Sequence, residues 1–396
     1  MIKACKDLQD SLVTMRRDLH KIPELGLELP ETTNYVITRL REYGIEYTLN
    51  EGDTGIIGYI NKGKPGKVIA FRADMDALPI TEETGAEYAS THSGRMHACG
   101  HDAHTAMLLG TARVLSEHRD ELNGEVRLLF QTGEELSKGS AIMIRNNAIE
   151  GVDAIFGVHI GTILDPGIPC GKWIACPGPV MASYDRFSVR IIGKGCHGST
   201  PEKGTDPINI AAHIVLGLEA VIAREFSAHV PAVISVGRLS GGSLYNIIPG
   251  TVEIEGTTRS FDEAVRRNMA ERIEQISRST AEAFGGTVEF EMDWGAPPVV
   301  NDKAMAEFAA CCAKEVLGEE VLGEEGVITY RETPNMGGED FANYLGQIPG
   351  AFMFLSSSNP EKAADYAHHN PKFNIDEDVL WEGPAVFAKI AEEFLK

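Results

Sequence analysis

Basic residues are scarce in this chain, with 36 Lys and Arg against 58 Asp and Glu, and the formal net charge is −22 over 396 residues. Proteins that bind nucleic acid need clustered Lys and Arg to neutralise phosphates, so this balance argues against such a partner. No run approaches the roughly 20 apolar residues that span a bilayer, and we therefore expect no membrane insertion. Internal repeats and low-complexity segments are also absent.

The cysteines lack the pattern of a disulfide framework. Their number, seven, is odd, and the first residues, Met1–Lys6, carry no apolar signal segment. Because disulfides persist mainly in oxidising compartments, we expect reduced thiols and a cytoplasmic location.

Strand and helix signals alternate through the first part of the chain. Apolar residues at helical spacing predict helices, with a break at Pro23, and short apolar runs predict strands between them. The predicted helices lie within 11–43 and 105–115, and the predicted strands cover 68–71, 126–130 and 155–158. This alternation favours an α/β fold with a mostly parallel sheet covered on both faces. Such sheets bind ligands at the carboxyl ends of their strands, where Asp74, Glu134 and His159 lie.

The character changes near residue 182. The order of predicted elements becomes strand, helix, strand, strand, helix, strand, which is that of a ferredoxin-like α+β unit. These elements cover 187–193, 206–223, 232–239, 251–257, 261–284 and 287–292. A chain of this length is long for one compact core. We therefore predict a discontinuous domain of residues 1–181 and 297–396, with residues 182–296 inserted as a second domain.

The segment Met96–His104 holds three histidines, a thiol and a carboxylate in nine residues. Cys99 and His101 are two apart, so on an extended segment both would point to the same side and could meet one divalent cation. A structural zinc site would need a second Cys or His cluster, and the chain has none. The remaining ligands must come from distant segments, as they do in enzyme sites.

Three other places can supply ligands. Glu134 and Glu135 follow a predicted strand, His159 ends another, and the pair His368-His369 lies near the C-terminus. A single histidine at a strand end is more often a hydrogen-bonded residue than a ligand. Together with the Cys99 and His101 pair, however, one ligand from each of these three places makes a five-ligand pattern.

Short motifs follow one another along nearly the whole chain: Arg17–Gly26, Phe71–Pro79, Met96–His104, Glu134–Glu135, Gly157–His159, Gly195–Gly198, Asn246–Pro249, Gly256–Arg259, Gly338–Phe341 and His369–Pro371. In these motifs and their order the sequence resembles the M20 metallopeptidase and aminoacylase family. It is most similar to the amidohydrolase branch, which includes hippurate hydrolases, indole-acetyl-amino-acid hydrolases and N-acetyl-amino-acid deacetylases.

The resemblance implies a site with two divalent metal ions per subunit, of zinc, manganese, cobalt or nickel, and with Glu134 as general base. The implied ligands are Cys99, His101, Glu135, His159 and His369. Two positions depart from the wider family. Asp74 stands where a metal-binding histidine is usual, as is normal for the amidohydrolase branch, and its role stays open. Thr132-Gly133 stands where the branch more often has Pro-Ala. Asp76 would accept a hydrogen bond from a ligand imidazole and fix its tautomer.

The inserted domain resembles the lid and dimerisation domain of the family. The resemblance implies that His197 stabilises the oxyanion, in dimeric members from the partner subunit, and that Asn246 and Arg259 bind the carboxylate of the substrate. It therefore implies a homodimer or a higher homo-oligomer. A loop histidine and a surface arginine without function are the alternatives.

The expected reaction is hydrolysis of the amide bond of a small N-acyl amino acid. Within the same scaffold the alternative is a dipeptidase or carboxypeptidase, and outside it a non-catalytic relative that retained the fold. All implied ligands and the base are present, which favours an enzyme. Cys99 in place of the more usual bridging aspartate favours the amidohydrolase.

Overall fold

A computed structural model describes residues 1–322, 326–331 and 334–396. These residues form two compact units. The first comprises residues 1–180, 300–335 and 340–396, and the second comprises residues 181–299 and 336–339.

The helices are α1 (Ile2–Asp7), α2 (Gln9–His20), α3 (Pro30–Glu42), α4 (His101–Glu117), α5 (Gly139–Arg145), α6 (Pro207–Arg224), α7 (Glu263–Ala283), α8 (Lys303–Leu322, interrupted at Gly318), α9 (Ala342–Leu345) and α10 (Glu382–Phe394). The strands are β1 (Glu46–Leu49), β2 (Ile56–Ile60), β3 (Lys67–Asp74), β4 (Gly124–Gln131), β5 (Ala154–Gly161), β6 (Trp173–Ile174), β7 (Gly178–Met181), β8 (Asp185–Ile192), β9 (Cys196–His197), β10 (Ala232–Gly241), β11 (Ile247–Ile248), β12 (Thr251–Ser260), β13 (Thr287–Trp294), β14 (Val299–Asn301) and β15 (Gly350–Ser356).

The first unit contains a seven-stranded sheet in the order β1-β2-β4-β3-β5-β15-β6. Its four central strands, β4, β3, β5 and β15, run parallel, as predicted. The flanking strands pair antiparallel. All residues of β5 and β15 are buried, which agrees with a parallel sheet whose two faces are covered.

The second unit contains a four-stranded antiparallel sheet in the order β10-β12-β8-β13. Together with α6 and α7 it has the predicted ferredoxin-like order of elements. Its apolar core is formed by buried residues of the sheet and the two helices, such as Phe187, Ile214 and Ile273.

One helix in the described part of the chain, α6, has a length and composition that would allow it to cross a membrane, with a mean hydropathy of 1.4 over 18 residues. Its apolar residues are not continuous, because Asn209, His213 and Glu219 lie among them. Core helices of globular domains reach the same values, and Ile210, Ile214 and Leu218 of α6 lie in the apolar core of the second unit.

Candidate metal centre

The ends of the parallel strands place polar side chains at one edge of the first sheet. Asp74 is the last residue of β3 and is paired in register with Gln131, the last residue of β4. His159 lies near the end of the neighbouring strand β5. Asp74, Gln131 and His159 are all buried, so the edge is a polar site enclosed by protein.

A left-handed turn brings Cys99 and His101 together. Gly100 has φ +85° and caps α4, which begins at His101. A Cβ on Gly100 would lie 3.1 Å from Cγ2 of Ile160, so this turn favours glycine. The expectation of an extended segment is therefore wrong. Ligand atoms of Cys99, His101 and Glu135 nevertheless lie within 4.8 Å of one another.

The ring of His101 presents one unbonded nitrogen to the site. Its Nδ1 donates to the main-chain oxygen of Asp76 at 2.8 Å, while the buried Nε2 has no hydrogen-bond partner among the described residues. Nε2 lies 3.6 Å from Oδ2 of Asp74. Burial lowers the pKa of His101, but Asp74, Asp76 and Glu135 outweigh it and raise the pKa to about 10. The surroundings of Nε2 therefore favour a positive charge, which a metal ion would supply.

The carboxylate of Asp76 holds the main chain of the two glutamates. Its Oδ1 accepts from the N–H of Glu134 at 3.0 Å, and its Oδ2 accepts from the N–H of Glu135 at 3.2 Å. The expected hydrogen bond from an imidazole to this carboxylate is not formed. Oδ1 of Asp76 is 3.6 Å from Nδ1 of His101, and Nδ1 donates instead to the main-chain oxygen of Asp76. Asp76 orients both a histidine and the glutamates, through different oxygens.

Glu134 and Glu135 differ in surroundings. An Oε2 of Glu134 lies 3.9 Å from Nε2 of His101. Oε1 of Glu135 is buried without a hydrogen bond among the described residues and lies 3.4 Å from Nε2 of His369. Burial raises the pKa of Glu135, but His369 and His101 outweigh it and the pKa is lowered. Glu135 is thus an ionised carboxylate with an unused acceptor.

His369 reaches the site from a strained backbone. Its φ is +64°, a left-handed conformation that non-glycine residues adopt rarely and that recurs at functional sites. Its main-chain N–H donates to the oxygen of Ala98 at 2.8 Å, next to Cys99. The C-terminal segment is thereby fixed against the loop that carries Cys99.

Sγ of Cys99 lies 3.6 Å from Nε2 of His159 and 3.6 Å from Nδ1 of His368. Bond lengths of about 2.3 Å to sulfur and about 2.0 Å to nitrogen at a tetrahedral zinc ion give a similar separation. His159 donates from Nδ1 to the oxygen of Ile160 at 2.9 Å, so its Nε2 carries a lone pair toward Cys99. The sulfur of Cys99, Nε2 of His159 and the unbonded atoms of His101 and Glu135 fit divalent metal ions.

Two residues of the site, His104 and Arg72, belong to the sequence motifs, but no role was predicted for them from the sequence. His104 donates from Nδ1 to Asp74 at 2.6 Å and accepts at Nε2 from the N–H of Ile160 at 2.9 Å, so neither ring nitrogen is available to a metal. Arg72 donates to Asp74 at 2.7 Å and to Asp340 at 2.9 Å. Burial raises the pKa of Asp74, but Arg72, His101 and His104 outweigh it and hold the pKa well below its usual value.

The signal for both residues was their position. Arg72 lies two residues before Asp74 on β3, so the two side chains share a face of the strand. His104 lies about one helical turn after His101. Both residues therefore face the same edge as the predicted ligands. Asp74 already accepts hydrogen bonds on both oxygens. In the described fold it orients neighbouring side chains.

The three remaining candidates lie in the second unit. Pairing of β9 with β11 places His197 opposite Ile247, and the N–H of Gly198 donates to the oxygen of Asn246 at 2.8 Å, so His197 and Asn246 are neighbours. The guanidinium of Arg259 lies over the ring of Tyr184 at 4.7 Å. In the part of the chain that the structure describes, no carboxylate forms an ion pair with Arg259. Its partial burial lowers its pKa.

Similar proteins align with nearly the whole length of this chain. A deacetylase of N-acetyl-L-cysteine from Bacillus subtilis is 39% identical over 94% of this chain and 85% of its own. Thermostable carboxypeptidase 1 of Saccharolobus solfataricus is 37% identical over 98% of this chain and 96% of its own. The crystal structure of a dinuclear metal-binding M20 peptidase from Bacillus subtilis superposes with a TM-score of 0.81, at 36% identity, over 98% of this chain and 99% of that one.

The family profile described as peptidase family M20/M25/M40 matches residues 70–393, which include the strand ends and loops described above. With this match and with relatives of such identity and coverage, the chain belongs to peptidase family M20/M25/M40.

Proposed function

We propose that this protein is a metal-dependent amidohydrolase that cleaves N-acyl amino acids with two divalent metal ions per subunit. The observation that carries the proposal is the pair of buried atoms without hydrogen bonds, Nε2 of His101 and Oε1 of Glu135, beside the sulfur of Cys99. Buried polar atoms without partners are rare in folded proteins. Here both are electron-pair donors, which is the requirement for ligating a cation.

Cys99 belongs to two of the groups of side chains that could hold a metal ion in the described part of the chain. One group joins it to His101 and Glu135, and the other joins it to His159 and His368. We propose that the thiolate of Cys99 would hold metal together with His101, Glu135 and His159, and that His369 completes the set. A cluster with two ionised ligands and neutral histidines carries a net positive charge, which favours an anionic substrate.

The roles of the two glutamates follow from their surroundings. Bound metal ions would polarise the amide carbonyl and lower the pKa of the attacking water. Glu135 has an unused acceptor and serves as ligand. Glu134 takes the proton of the attacking water and gives it to the leaving amine, as a general base that becomes a general acid. Asp76 accepts hydrogen bonds from the main-chain N–H groups of both glutamates and so fixes the position of each relative to the other.

Recognition of the carboxylate is proposed for the second unit. The half-buried guanidinium of Arg259 donates hydrogen bonds to two neutral oxygens, Oγ1 of Thr257 and the carbonyl of Thr258, and forms no ion pair with a carboxylate of the described residues. An arginine in that state suits a substrate carboxylate. We propose that Asn246 binds this carboxylate together with Arg259, and that His197, the neighbour of Asn246 in the same unit, is the oxyanion donor.

The relatives favour the N-acyl substrate but include an alternative. One is named a deacetylase of N-acetyl-L-cysteine, and another is named a carboxypeptidase. Both reactions hydrolyse an amide next to a free carboxylate. The two are distinguished by the acyl side of the bond, which is a simple acyl group in one and an aminoacyl group in the other.

The test is a substrate panel on apoprotein reconstituted separately with zinc, manganese, cobalt and nickel. N-acetyl, N-benzoyl and indole-acetyl amino acids are compared with dipeptides, and the released amine is measured. We expect turnover of N-acyl amino acids, and weak turnover of their carboxamide analogues, which lack the anion. Turnover of dipeptides alone would overturn the proposal in favour of a peptidase.

Cellular location and assembly belong to the proposal as well. None of the seven cysteines, all in the described part of the chain, forms a disulfide, which supports a reducing compartment such as the cytoplasm. A homodimer through the second unit follows from the resemblance, and its measurement is sedimentation or light scattering.

A further inference from the structure

The sulfur of Cys99 has a second histidine neighbour besides His159. Nδ1 of His368 lies 3.6 Å from it, and Nε2 of the same ring accepts a hydrogen bond from the main-chain N–H of Thr162 at 3.1 Å. A ring nitrogen that accepts a hydrogen bond carries no proton, so the ring proton of His368 is on Nδ1. His368 therefore directs an N–H at the sulfur and has no lone pair there for an ion.

The fold keeps the ring of His368 in this orientation. Gly161 has φ +124°, and a Cβ at that position would lie 2.3 Å from Nε2 of His368, so only a glycine leaves room for the ring. Phe373 packs on the ring with a centroid distance of 4.6 Å, and His159 packs at 5.0 Å. The contact with Cys99 is thus set by packing on several sides.

We propose that His368 is a positioning residue that donates a hydrogen bond from Nδ1 to the thiolate of Cys99 and thereby sets the donor strength of the sulfur toward the metal ions. The inference rests on the proposed role of Cys99 as a ligand. A hydrogen bond to a thiolate withdraws electron density from sulfur and fixes its direction, and such outer contacts tune both affinity and electronic properties of metal sites. His368 and His369, although adjacent, then have different tasks.

Three variants separate this role from a general structural one. His368→Leu removes the N–H, whereas His368→Asn retains an N–H group near the position of Nδ1. His118→Asn is the matched control, because His118 is a partly exposed histidine that pairs with Glu121. The probe is Co²⁺ added to the apoprotein, with Cys99→Ser as the reference that lacks the sulfur. The absorption band from thiolate-to-cobalt charge transfer, the affinity and the number of bound ions are measured.

We expect His368→Leu to bind two ions at saturation, with about 10- to 100-fold weaker affinity because the direction of the sulfur is no longer fixed, and with a charge-transfer band shifted to longer wavelength. A sulfur without its hydrogen bond gives up electrons more easily, which explains the shift. The Asn variant should retain most of the affinity and a band close to that of the wild type, as should the His118 control.

An unshifted band and unchanged affinity in His368→Leu would overturn the proposal, and so would loss of one ion at saturation, which would make His368 a ligand. If the Leu variant does not fold, the Asn variant decides alone. A roughly 10- to 100-fold loss of affinity in His368→Asn would show that the N–H group does not set the metal affinity. If the wild-type protein shows no thiolate-to-cobalt band, as is expected of Cys99→Ser, the proposed ligand set itself is refuted.

Discussion

The carboxylate of Asp76 accepts a hydrogen bond from the main-chain N–H of Glu134 at 3.0 Å, and its second oxygen accepts from Glu135 at 3.2 Å. One buried side chain therefore fixes the start of the turn that carries both glutamates. Its own main-chain oxygen also holds the ring of His101. The geometry of the general base and of two ligands depends on this one aspartate.

Asp76→Asn tests this dependence. An amide has one acceptor oxygen, so one N–H of the turn loses its partner, at a cost of roughly 1–3 kcal/mol. We expect kcat/KM to fall about 10- to 100-fold, with both metal ions retained at saturation. Asp153→Asn is the matched control, since Asp153 also accepts from a main-chain N–H, that of Val68, at the opposite end of β3. Equal activity in both variants would remove Asp76 from this role.

Much of the architecture could be predicted from the sequence, because periodicity and turn residues act locally. The helices α2, α4 and α7 and the strands β3, β4 and β5 were predicted within a few residues. Motifs also named the residues that the fold places at one edge. Side-chain partners could not be predicted in the same way. The contact of His101 with a carbonyl depends on the left-handed turn at Gly100, and the ring proton of His368 depends on Thr162, which is 206 residues away.

Cys99→Ser should reduce metal binding. A serine hydroxyl is not ionised at neutral pH and is a weaker ligand than a thiolate. The affinity loss should exceed the roughly 10- to 100-fold typical of an outer contact, with fewer than two ions per chain after dialysis. Cys176→Ser, a buried cysteine away from the site, is the control for folding. Two tightly bound ions in Cys99→Ser would show that the sulfur is not a ligand.

Glu82 links acid stability to a buried network beside α4. It accepts from Nε2 of His20 at 3.3 Å and from the N–H of Ser90 at 2.7 Å. Burial raises the pKa of Glu82, but His20, Ser90 and Thr84 outweigh it and lower the pKa from 4.5 to about 2. Because the folded pKa is the lower one, this carboxylate stabilises the fold above pH 4.5, and the contribution is lost as the pH falls toward 2.

Glu82→Gln should therefore lower the urea midpoint of the apoprotein at pH 7, by a free energy on the order of 2 kcal/mol. It should also flatten the decline of stability below pH 4.5. The exposed Glu87→Gln is the control. If stability falls below pH 4.5 as steeply in Glu82→Gln as in the wild type, the acid sensitivity belongs to other groups, such as Asp102. Burial raises the pKa of Asp102, but Arg16 and His20 outweigh it and lower the pKa.

Mixing inactive chains tests whether His197 acts from a partner subunit. If it does, a heterodimer of His197→Ala and Glu134→Gln chains contains one intact site and regains up to about half of the activity. Subunit exchange is verified beforehand with differently tagged chains. Verified heterodimers without any recovery would exclude action in trans, and a monomeric protein would confine His197 to its own chain.

The most direct test of the central claim is Glu134→Gln, with metal content and hydrolysis of an N-acyl amino acid measured on the same sample. A glutamine cannot move the proton from water to the leaving amine, and general acid–base catalysis is typically worth about 10²- to 10⁴-fold. We predict two bound ions per chain with kcat reduced by that factor, while Glu87→Gln stays at the wild-type rate. Full metal occupancy with near-normal kcat would contradict the account.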